Sequence, residues 1–489
     1  MHKSLKNLGP RRVHKLMSEA LKILQEQCRG AANASRQSSK EDFKRITDYE
    51  SFITARAKRR KPSALREITK TISQMPPHTI KFAVGVPNVN TFPFQEVSVR
   101  LKDGSSYNID GEDLEAALQY MPSSGHTKLV RQLQELQDKA HGPQDWSNTG
   151  LVVTCGGSEP MASAFDLLLD EGDPIIIPIP VYPGSADALR AYKPEYIAMQ
   201  QDKDGIQPTL LRQILQERKQ KNKKMPKLMY INPTGCNPTG RNLLLERRKE
   251  IYQIACEYNI IILEDDPYYQ LHFLDENIPS LLSMDVEGRV IRLDSFSKIL
   301  SSGLRVGYVT GPSSLIRQIE LHLQVSTLHT SALSQMVVSK LLDHWGYDQY
   351  LKHIQNVRAF YRERRDLMLA ACDKYLTGLA KWNASSGGMF LWLQVPLLED
   401  TWNLAAKHCL EKCLLIVPGH PFTGEVPPAT YNFIRLSFSL ASPAQMDEGV
   451  KLLAEIIKEQ ATKKMLKRIE LLWNLHFCEQ CYNQFMSYL

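Results

Sequence analysis

Lys298 stands in the run Asp294-Ser-Phe-Ser-Lys-Ile-Leu-Ser-Ser-Gly-Leu-Arg305, where several reactive residue types meet within a dozen positions. Ser295 and Ser297 supply hydroxyls. Arg305, seven residues past the lysine, supplies a guanidinium. Hydroxyls plus a guanidinium make a phosphate cradle. A lysine held beside bound phosphate suits a Schiff base with a phosphorylated aldehyde. Taken alone, a lysine after a strand is an ordinary solvated residue. Two further stretches change that balance: Asn232-Pro-Thr-Gly-Cys-Asn-Pro-Thr-Gly240 and Glu264-Asp-Asp-Pro-Tyr-Tyr269.

Other residues fit the same chemistry. An electron-withdrawing ring needs a carboxylate against its nitrogen, to keep that nitrogen protonated. Glu264, Asp265 and Asp266 all follow a buried apolar run, and the pattern alone does not choose among them. Gly156-Gly-Ser158-Glu159 is a glycine turn opening a helix, where backbone amides and the helix dipole favour phosphate. Tyr182, in Pro180-Val-Tyr-Pro183, is either a packed tyrosine or a ring that stacks on a ligand. Arg435 lies mid-strand between Ile434 and Leu436. A cation in an apolar strand needs an anionic partner, either a structural acid or a substrate carboxylate held bidentately.

The elements that must position these residues are legible as an alternation. Leu151-Val-Val-Thr154, Ile175-Ile-Ile177, Leu228-Met-Tyr-Ile231, Ile260-Ile-Ile-Leu263 and Arg289-Val-Ile-Arg-Leu-Asp294 read as short strands. Helical stretches separate them, for example Met161 to Leu169 and Glu246 to Tyr258. Wholly apolar strands between helices predict an α/β fold with a mostly parallel sheet covered on both faces. In that architecture ligands bind beyond the carboxyl ends of strands, where the residues named above lie. Charge-rich helices over about 350–375 lead to two strands of a smaller domain, Gly387 to Trp392 and Ile434 to Phe438.

The chain has 489 residues, which predicts more than one domain. With 43% hydrophobic and 23% charged residues it is not a disordered chain. A net charge of +7 is modest for this length and does not argue for nucleic acid. No apolar run approaches a membrane span. Nine scattered cysteines form no disulfide framework and indicate a reducing compartment. Cys478-Glu-Gln-Cys481 is a lone CxxC, read as two ordinary thiols, and no metal is expected. The first residues carry Lys3, Lys6, Arg11, Arg12 and Lys15 before any acid, with Val13, Leu16, Met17, Ala20, Leu21 and Leu24 on one helical face. Such a basic amphipathic leader is what mitochondrial import recognises.

In this order and spacing, the three central motifs resemble those of fold type I pyridoxal-phosphate aminotransferases. From about Tyr49 to Lys458 the chain is similar to the mitochondrial kynurenine/2-aminoadipate aminotransferase family. Phe52-Ile-Thr-Ala, Lys61-Pro-Ser-Ala-Leu-Arg66, Val86 to Phe94, Ala117-Leu-Gln-Tyr120, Gln324 to His329 and Lys374 to Ala380 carry that likeness. The resemblance implies a large pyridoxal-phosphate-binding domain over 86–345, with a mostly parallel sheet flanked by helices. It implies a smaller α+β C-terminal domain over 346–460, an N-terminal arm over 49–85, and a leader with linker over 1–48. Residues 461–489 have no counterpart and read as a docked extra helix or a stray extension.

The resemblance also implies roles. Lys298 is the catalytic lysine and Asp266, directly before Pro-Tyr-Tyr, is the acid at the ring nitrogen. Tyr269 and Asn237 hold the cofactor's phenolic oxygen, and Tyr182 stacks on its ring. Ser158, Glu159, Ser295, Ser297 and Arg305 belong to the phosphate. Arg66, Gly85, Tyr120, Asn237 and Arg435 lie at the substrate, Tyr120 reaching across a homodimer interface. The implied donors are L-kynurenine and L-2-aminoadipate, the acceptor 2-oxoglutarate, and the kinetics ping-pong. The implied place is the mitochondrial matrix, with the cytoplasm as the alternative. Carbon–sulfur lyases, ring-closing enzymes, weakly active paralogues and cofactor-sensing transcription regulators share the lysine. A regulator would need a winged helix-turn-helix ahead of it, for which the first 48 residues hold one helical pattern.

Four departures from the family pattern bear on the site. Glu159 and Pro160 stand where the family has two glutamines, which predicts a carboxylate near phosphate and weakened cofactor binding unless that carboxylate turns away. Val84 replaces a glycine, narrowing the substrate region. Ser124-Gly-His-Thr-Lys128 and Ile179 also differ.

Overall fold

The computed structural model describes residues 44–72, 75–76, 78–80, 82, 85–142, 144–424 and 431–476. The leader over 1–48, apart from its last five residues, and Val84 and the CxxC pair lie outside the described residues. The chain divides at Asp48, and the elements below belong to Asp48–Leu489.

A small hairpin, β1 (Val97–Arg100) with β2 (Ser106–Ile109), precedes the central sheet. That sheet has eight strands: β3 (Thr149–Cys155), β4 (Pro174–Ile179), β5 (Glu195–Asp202), β6 (Gly205–Ile206), β7 (Leu228–Ile231), β8 (Ile261–Asp265), β9 (Val290–Ser295) and β10 (Val306–Pro312). Their order across the sheet is β3-β10-β9-β8-β7-β4-β5-β6. The run from β9 to β5 is parallel throughout, and β10 and β6 are antiparallel to their neighbours. The α/β expectation holds, and for the physical reason that motivated it. Ile175, Ile176, Ile177, Leu228, Met229, Ile261, Ile262 and Leu263 are fully buried. Strands apolar on both faces need helices on both faces. Each such side chain contributes about 1.5–3 kcal/mol on burial. The carboxyl ends of β3, β7, β8 and β9 therefore open on one edge, at Cys155, Ile231, Asp265 and Ser295.

A second sheet has order β11 (Lys381–Trp382), β12 (Phe390–Gln394), β14 (Phe433–Ser437), β13 (Val417–Pro418), all antiparallel. Leu391, Leu393, Ile434 and Leu436 from its strands pack with Leu453 and Ile457 of the helix Pro443–His476. β12 begins three residues later than the Gly387 start expected from sequence. Gly388 has φ +71 and its backbone lies against Gly235, so the glycine pair forms a turn instead of strand. The helix Ala332–Tyr375 joins the two sheets and breaks at Gly346 (φ 62, ψ 179), where the large and small domains were expected to meet.

The tail expected from 461 is not separate as far as His476. It continues the helix that starts at Pro443, and Lys464 and Arg468 pair with Glu399 at 2.9 and 2.6 Å. The N-terminal arm is fastened to the C-terminal end of the helix Ser158–Leu168, the end away from the phosphate turn. Arg56 Nε lies 2.8 Å from Asp166, Arg60 pairs with the same carboxylate, and Thr54 N–H donates to Leu167 O. Among the described residues no helix is long and apolar enough to cross a membrane.

Candidate active site

At the carboxyl edge of the large sheet lies a cavity of about 290 Å³. Its anion-binding end forms where β3 and β9 stop. The Ser295 hydroxyl accepts from Ser297 N–H at 3.2 Å, which caps the single turn Phe296–Lys298 and holds both hydroxyls together, Oγ to Oγ 3.0 Å. Arg305 donates to Ser297 Oγ at 3.3 Å and to Cys155 O at 3.1 Å. Gly156 has φ +67, and a Cβ there would collide with the Arg305 guanidinium. Only glycine lets the turn and the arginine share this space. The helix Ser158–Leu168 opens at the same place, with Gly157 and Ser158 on the cavity wall. Amides, hydroxyls and a guanidinium thus converge on one point, which suits a dianionic phosphate.

Lys298 lies on the wall beside this cradle, its Nζ 5.9 Å from the Tyr268 ring centroid. Burial, and then the nearby Arg305 charge, lower its pKa from the ordinary lysine value. Both effects disfavour the ammonium and favour the nucleophilic free amine.

Two sequence expectations require correction here. Asp266 and Tyr269 do not face the Lys298 cavity; Asp265 and Tyr268 do. Side chains alternate along β8, so Glu264 and Asp266 share one face and Asp265 takes the other. Arg292, on the neighbouring β9, claims the first face. Its Nη1 lies 3.2 Å from Glu264 and 3.1 Å from Asp266, and its Nη2 lies 2.9 Å from Asp294. Burial alone would lower the Arg292 pKa, but Asp294, Glu264 and Asp266 together hold it well above the usual value. Tyr269 sits over the same guanidinium, 4.8 Å from its ring centroid, and its hydroxyl points to Ala140 O at 3.4 Å. These residues form a buried structural network behind the sheet.

Asp265 occupies the other face, 8% exposed, with Tyr230 Oη donating to its Oδ2 at 2.7 Å. Among the described residues no cation lies within ion-pair distance of it. Burial therefore pushes its pKa up, to about 7, against the opposing hydrogen bond from Tyr230. A protonated ring nitrogen would supply the missing cation.

Asn237 lies on the cavity wall, and its side-chain oxygen accepts from Arg435 Nη1 at 2.9 Å. Strand alternation explains the arginine's position. Ile434 and Leu436 face the small-sheet core, so Arg435 faces away from it. Its guanidinium lies over the Phe390 ring at 4.2 Å and the Phe422 ring at 5.1 Å. Its buried Nε has no hydrogen-bond partner, and no carboxylate pairs with it among the described residues. No structural ion pair therefore holds this guanidinium among the described residues, and its environment is the two rings and the Asn237 oxygen. Tyr182 also lines the cavity, its hydroxyl held neutral by burial.

Glu159 is not on the cavity wall. Its carboxylate accepts from Cys155 N–H at 2.6 Å and from Thr327 Oγ1 at 2.8 Å. The repulsion expected between this carboxylate and phosphate is relieved by that turn away. Arg66, Gly85 and Tyr120 do not line the cavity within this chain. Arg66 donates to Met121 O and to Ser123 Oγ, Gly85 is exposed with open space about it, and Tyr120 is 50% exposed with its ring edge-on to His329. Sequence reasoning missed Asp265, Tyr268, Tyr230 and Phe390. For Asp265, one of the three acids the pattern left open, a signal existed: strand parity puts it on the face opposite Glu264.

The aminotransferase class I and II family model matches residues 77–453. The mitochondrial kynurenine/alpha-aminoadipate aminotransferase of Bos taurus is 42% identical over 424 residues, covering 84% of this chain and 99% of the bovine protein. Among solved structures, the kynurenine aminotransferase of Pyrococcus horikoshii, in complex with PMP, KYN and KYA, superposes with TM-score 0.68. It is 31% identical and covers 85% of this chain and 98% of its own. LysN, the alpha-aminoadipate aminotransferase of Thermus thermophilus complexed with N-(5'-phosphopyridoxyl)-L-leucine, superposes with TM-score 0.65 at 30% identity. It covers 71% of this chain and 85% of its own. With a lysine, a phosphate cradle and an acid without an ion-pair partner on one cavity wall, and with a family model over residues 77–453 and relatives matched over nearly their whole length, the chain belongs to the class I and II aminotransferases and is a transaminase.

Proposed function

We propose that this enzyme holds pyridoxal 5'-phosphate and moves the amino group of L-kynurenine, L-2-aminoadipate and related amino acids to 2-oxoglutarate. The single observation that carries the cofactor reading is the arrangement of opposed charges around Lys298. Arg305, Ser295 and Ser297 suit a phosphate at one end, and Asp265 suits a ring nitrogen at the other. The bound cofactor supplies an aldehyde for the amino group and a ring that withdraws electrons from the substrate's α-carbon. Every other task falls to the protein. Asp265 would keep the ring nitrogen protonated, Tyr268 with Asn237 would hold the phenolic oxygen, and Tyr182 would stack on the ring. Arg435 receives the α-carboxylate, using the Nη2 and Nε donors that Asn237 leaves free. Lys298 Nζ takes the α-proton and returns it on the other side of the transfer, first base and then acid.

The substrate reading rests on the relatives that carry kynurenine and aminoadipate in their names, and on their near-complete coverage by this chain. A homodimer is proposed with it. Val325 and Phe94 are 69% and 60% exposed, which suits apolar surface covered by a second copy. Tyr120 then reaches the partner's site, and Arg66 and Gly85 belong to the same edge. The mitochondrial matrix is the proposed location, from the basic leader and the named relatives.

The test is direct. Purified protein incubated with kynurenine and 2-oxoglutarate should yield kynurenic acid and glutamate, and Lys298→Ala should abolish both while remaining folded. Product from the alanine variant at near wild-type rate would overturn the role given to Lys298. Turnover of other donors with none of kynurenine would overturn the substrate assignment alone.

A further inference from the structure

Tyr230 lies on β7, fully buried, and touches nothing that a substrate or cofactor would occupy. Its hydroxyl nevertheless donates to Asp265 Oδ2 at 2.7 Å. Two residues on, just past the end of β7, Asn232 Nδ2 donates to the Asp265 backbone carbonyl at 2.5 Å. The main chain of Asp265 is thus fixed by Asn232, and its carboxylate by Tyr230. We infer that Tyr230 is a positioning residue that keeps the Asp265 carboxylate ionised and aimed into the cavity, so that cofactor retention depends on a phenol the cofactor never meets. This rests on the cofactor reading above.

The charge environment leaves the task to Tyr230. Just past the end of β8 Asp266 adjoins, and from β9 Asp294 adds a second like charge, both opposing ionisation of Asp265. Arg292 favours ionisation, but its guanidinium is taken by Glu264, Asp266 and Asp294 on the far face. Tyr182 and Tyr268 face Asp265 from the cavity side as neutral phenols held well protonated by burial. The direct hydrogen bond to the carboxylate therefore comes from β7. A phenol bonded to an acid in a dry site stays protonated, because burial and then Asp265 raise the Tyr230 pKa well above the ordinary value. It remains a donor at every pH at which the enzyme works.

The geometry suits this role better than a salt bridge would. A cation beside Asp265 would neutralise it and compete with the ring nitrogen for its negative charge. A neutral O–H stabilises the carboxylate form and leaves its charge, and its other oxygen, for the ligand. Hydrogen bonds to charged groups are strong enough that loss of this one should move the Asp265 titration upward by about one to two pH units.

The experiment follows that titration in the apoprotein by difference infrared spectroscopy, with Asp265→Asn as the blank. Tyr230→Phe should move the protonated-carboxyl transition to higher pH by about one to two units. Site-specific 3,5-difluorotyrosine at position 230, an isosteric and stronger donor, should move it to lower pH. It tests the idea even where the phenylalanine variant folds poorly. In parallel, pyridoxal-phosphate affinity at neutral pH should fall roughly ten-fold in Tyr230→Phe, and no further when Asp265 is already Asn. An unmoved carboxyl transition, or an equal loss of affinity in the Asp265→Asn background, would overturn the inference. If the transition moves as expected but wild-type apoprotein takes up no pyridoxal phosphate, the cofactor reading fails and the phenol–carboxylate link stands.

Discussion

The Arg435 guanidinium donates to the Asn237 side-chain oxygen over 2.9 Å, joining the small antiparallel sheet to the turn that follows β7 of the large one. The two residues are 198 positions apart, and among the described residues no carboxylate pairs with the arginine. The contact fixes the arginine by one nitrogen to a residue of the cavity wall and leaves its buried Nε without a partner.

Replacing Arg435 should therefore act on substrate more than on fold. Arg435→Lys keeps the charge but loses the planar fork. Steady-state kinetics should show kcat/KM for the amino donor reduced roughly 10- to 100-fold, for a loss of about 1.5–3 kcal/mol. The melting temperature should stay close to wild type. An unchanged kcat/KM would remove Arg435 from the carboxylate site.

Neighbouring aspartates should fail in different ways. Asp265→Asn removes the charge facing the cavity and should lower kcat by roughly 10²–10³ with little loss of stability. Asp266→Asn breaks the pair with Arg292, where both groups are buried. Arg292 keeps Glu264 and Asp294, so what is lost is one charge-assisted contact, about 1.5–3 kcal/mol, and denaturant unfolding should show that loss of stability. If the stability loss falls on Asp265 and the catalytic loss on Asp266, the strand-parity assignment is reversed.

Lys298 should titrate below an ordinary lysine. Its pKa is lowered by burial first and by Arg305 second, so the free amine appears as pH rises at a lower pH than for a solvated side chain. Rates of imine formation between apoprotein and pyridoxal, which lacks the phosphate, should report that inflection. Arg305→Gln should shift the inflection upward while burial keeps it below the free-lysine value. Identical profiles for wild type and variant would show that Arg305 does not reach Lys298.

Glu159 should be nearly silent toward the cofactor. Because its carboxylate is turned to Cys155 N–H and Thr327, Glu159→Gln should change pyridoxal-phosphate affinity by less than about three-fold, since the amide oxygen can accept from Cys155 N–H while the amide NH2 donates to the Thr327 hydroxyl. A gain above ten-fold would mean the charge does act on the phosphate after all.

The sequence alone determined the α/β class and the sheet-forming runs, through apolar periodicity, and marked Lys298 with Arg305 through local spacing, both of which survive in one dimension; Asn237 and Arg435 are singled out by the family resemblance. The Ser295-Ser297-Lys298 turn is legible for the same reason: its parts lie within four residues. What the tertiary structure decided was which of three consecutive acids meets the cavity, and which of two tyrosines accompanies it. That choice depends on Arg292, which lies on another strand and draws Glu264 and Asp266 to its own face. Nor does any local pattern in the chain reveal that Glu159 finds Thr327, or that Tyr230 reaches Asp265 from the neighbouring strand. Such pairings are fixed by sheet register and loop packing, and these exist only once distant segments have come together.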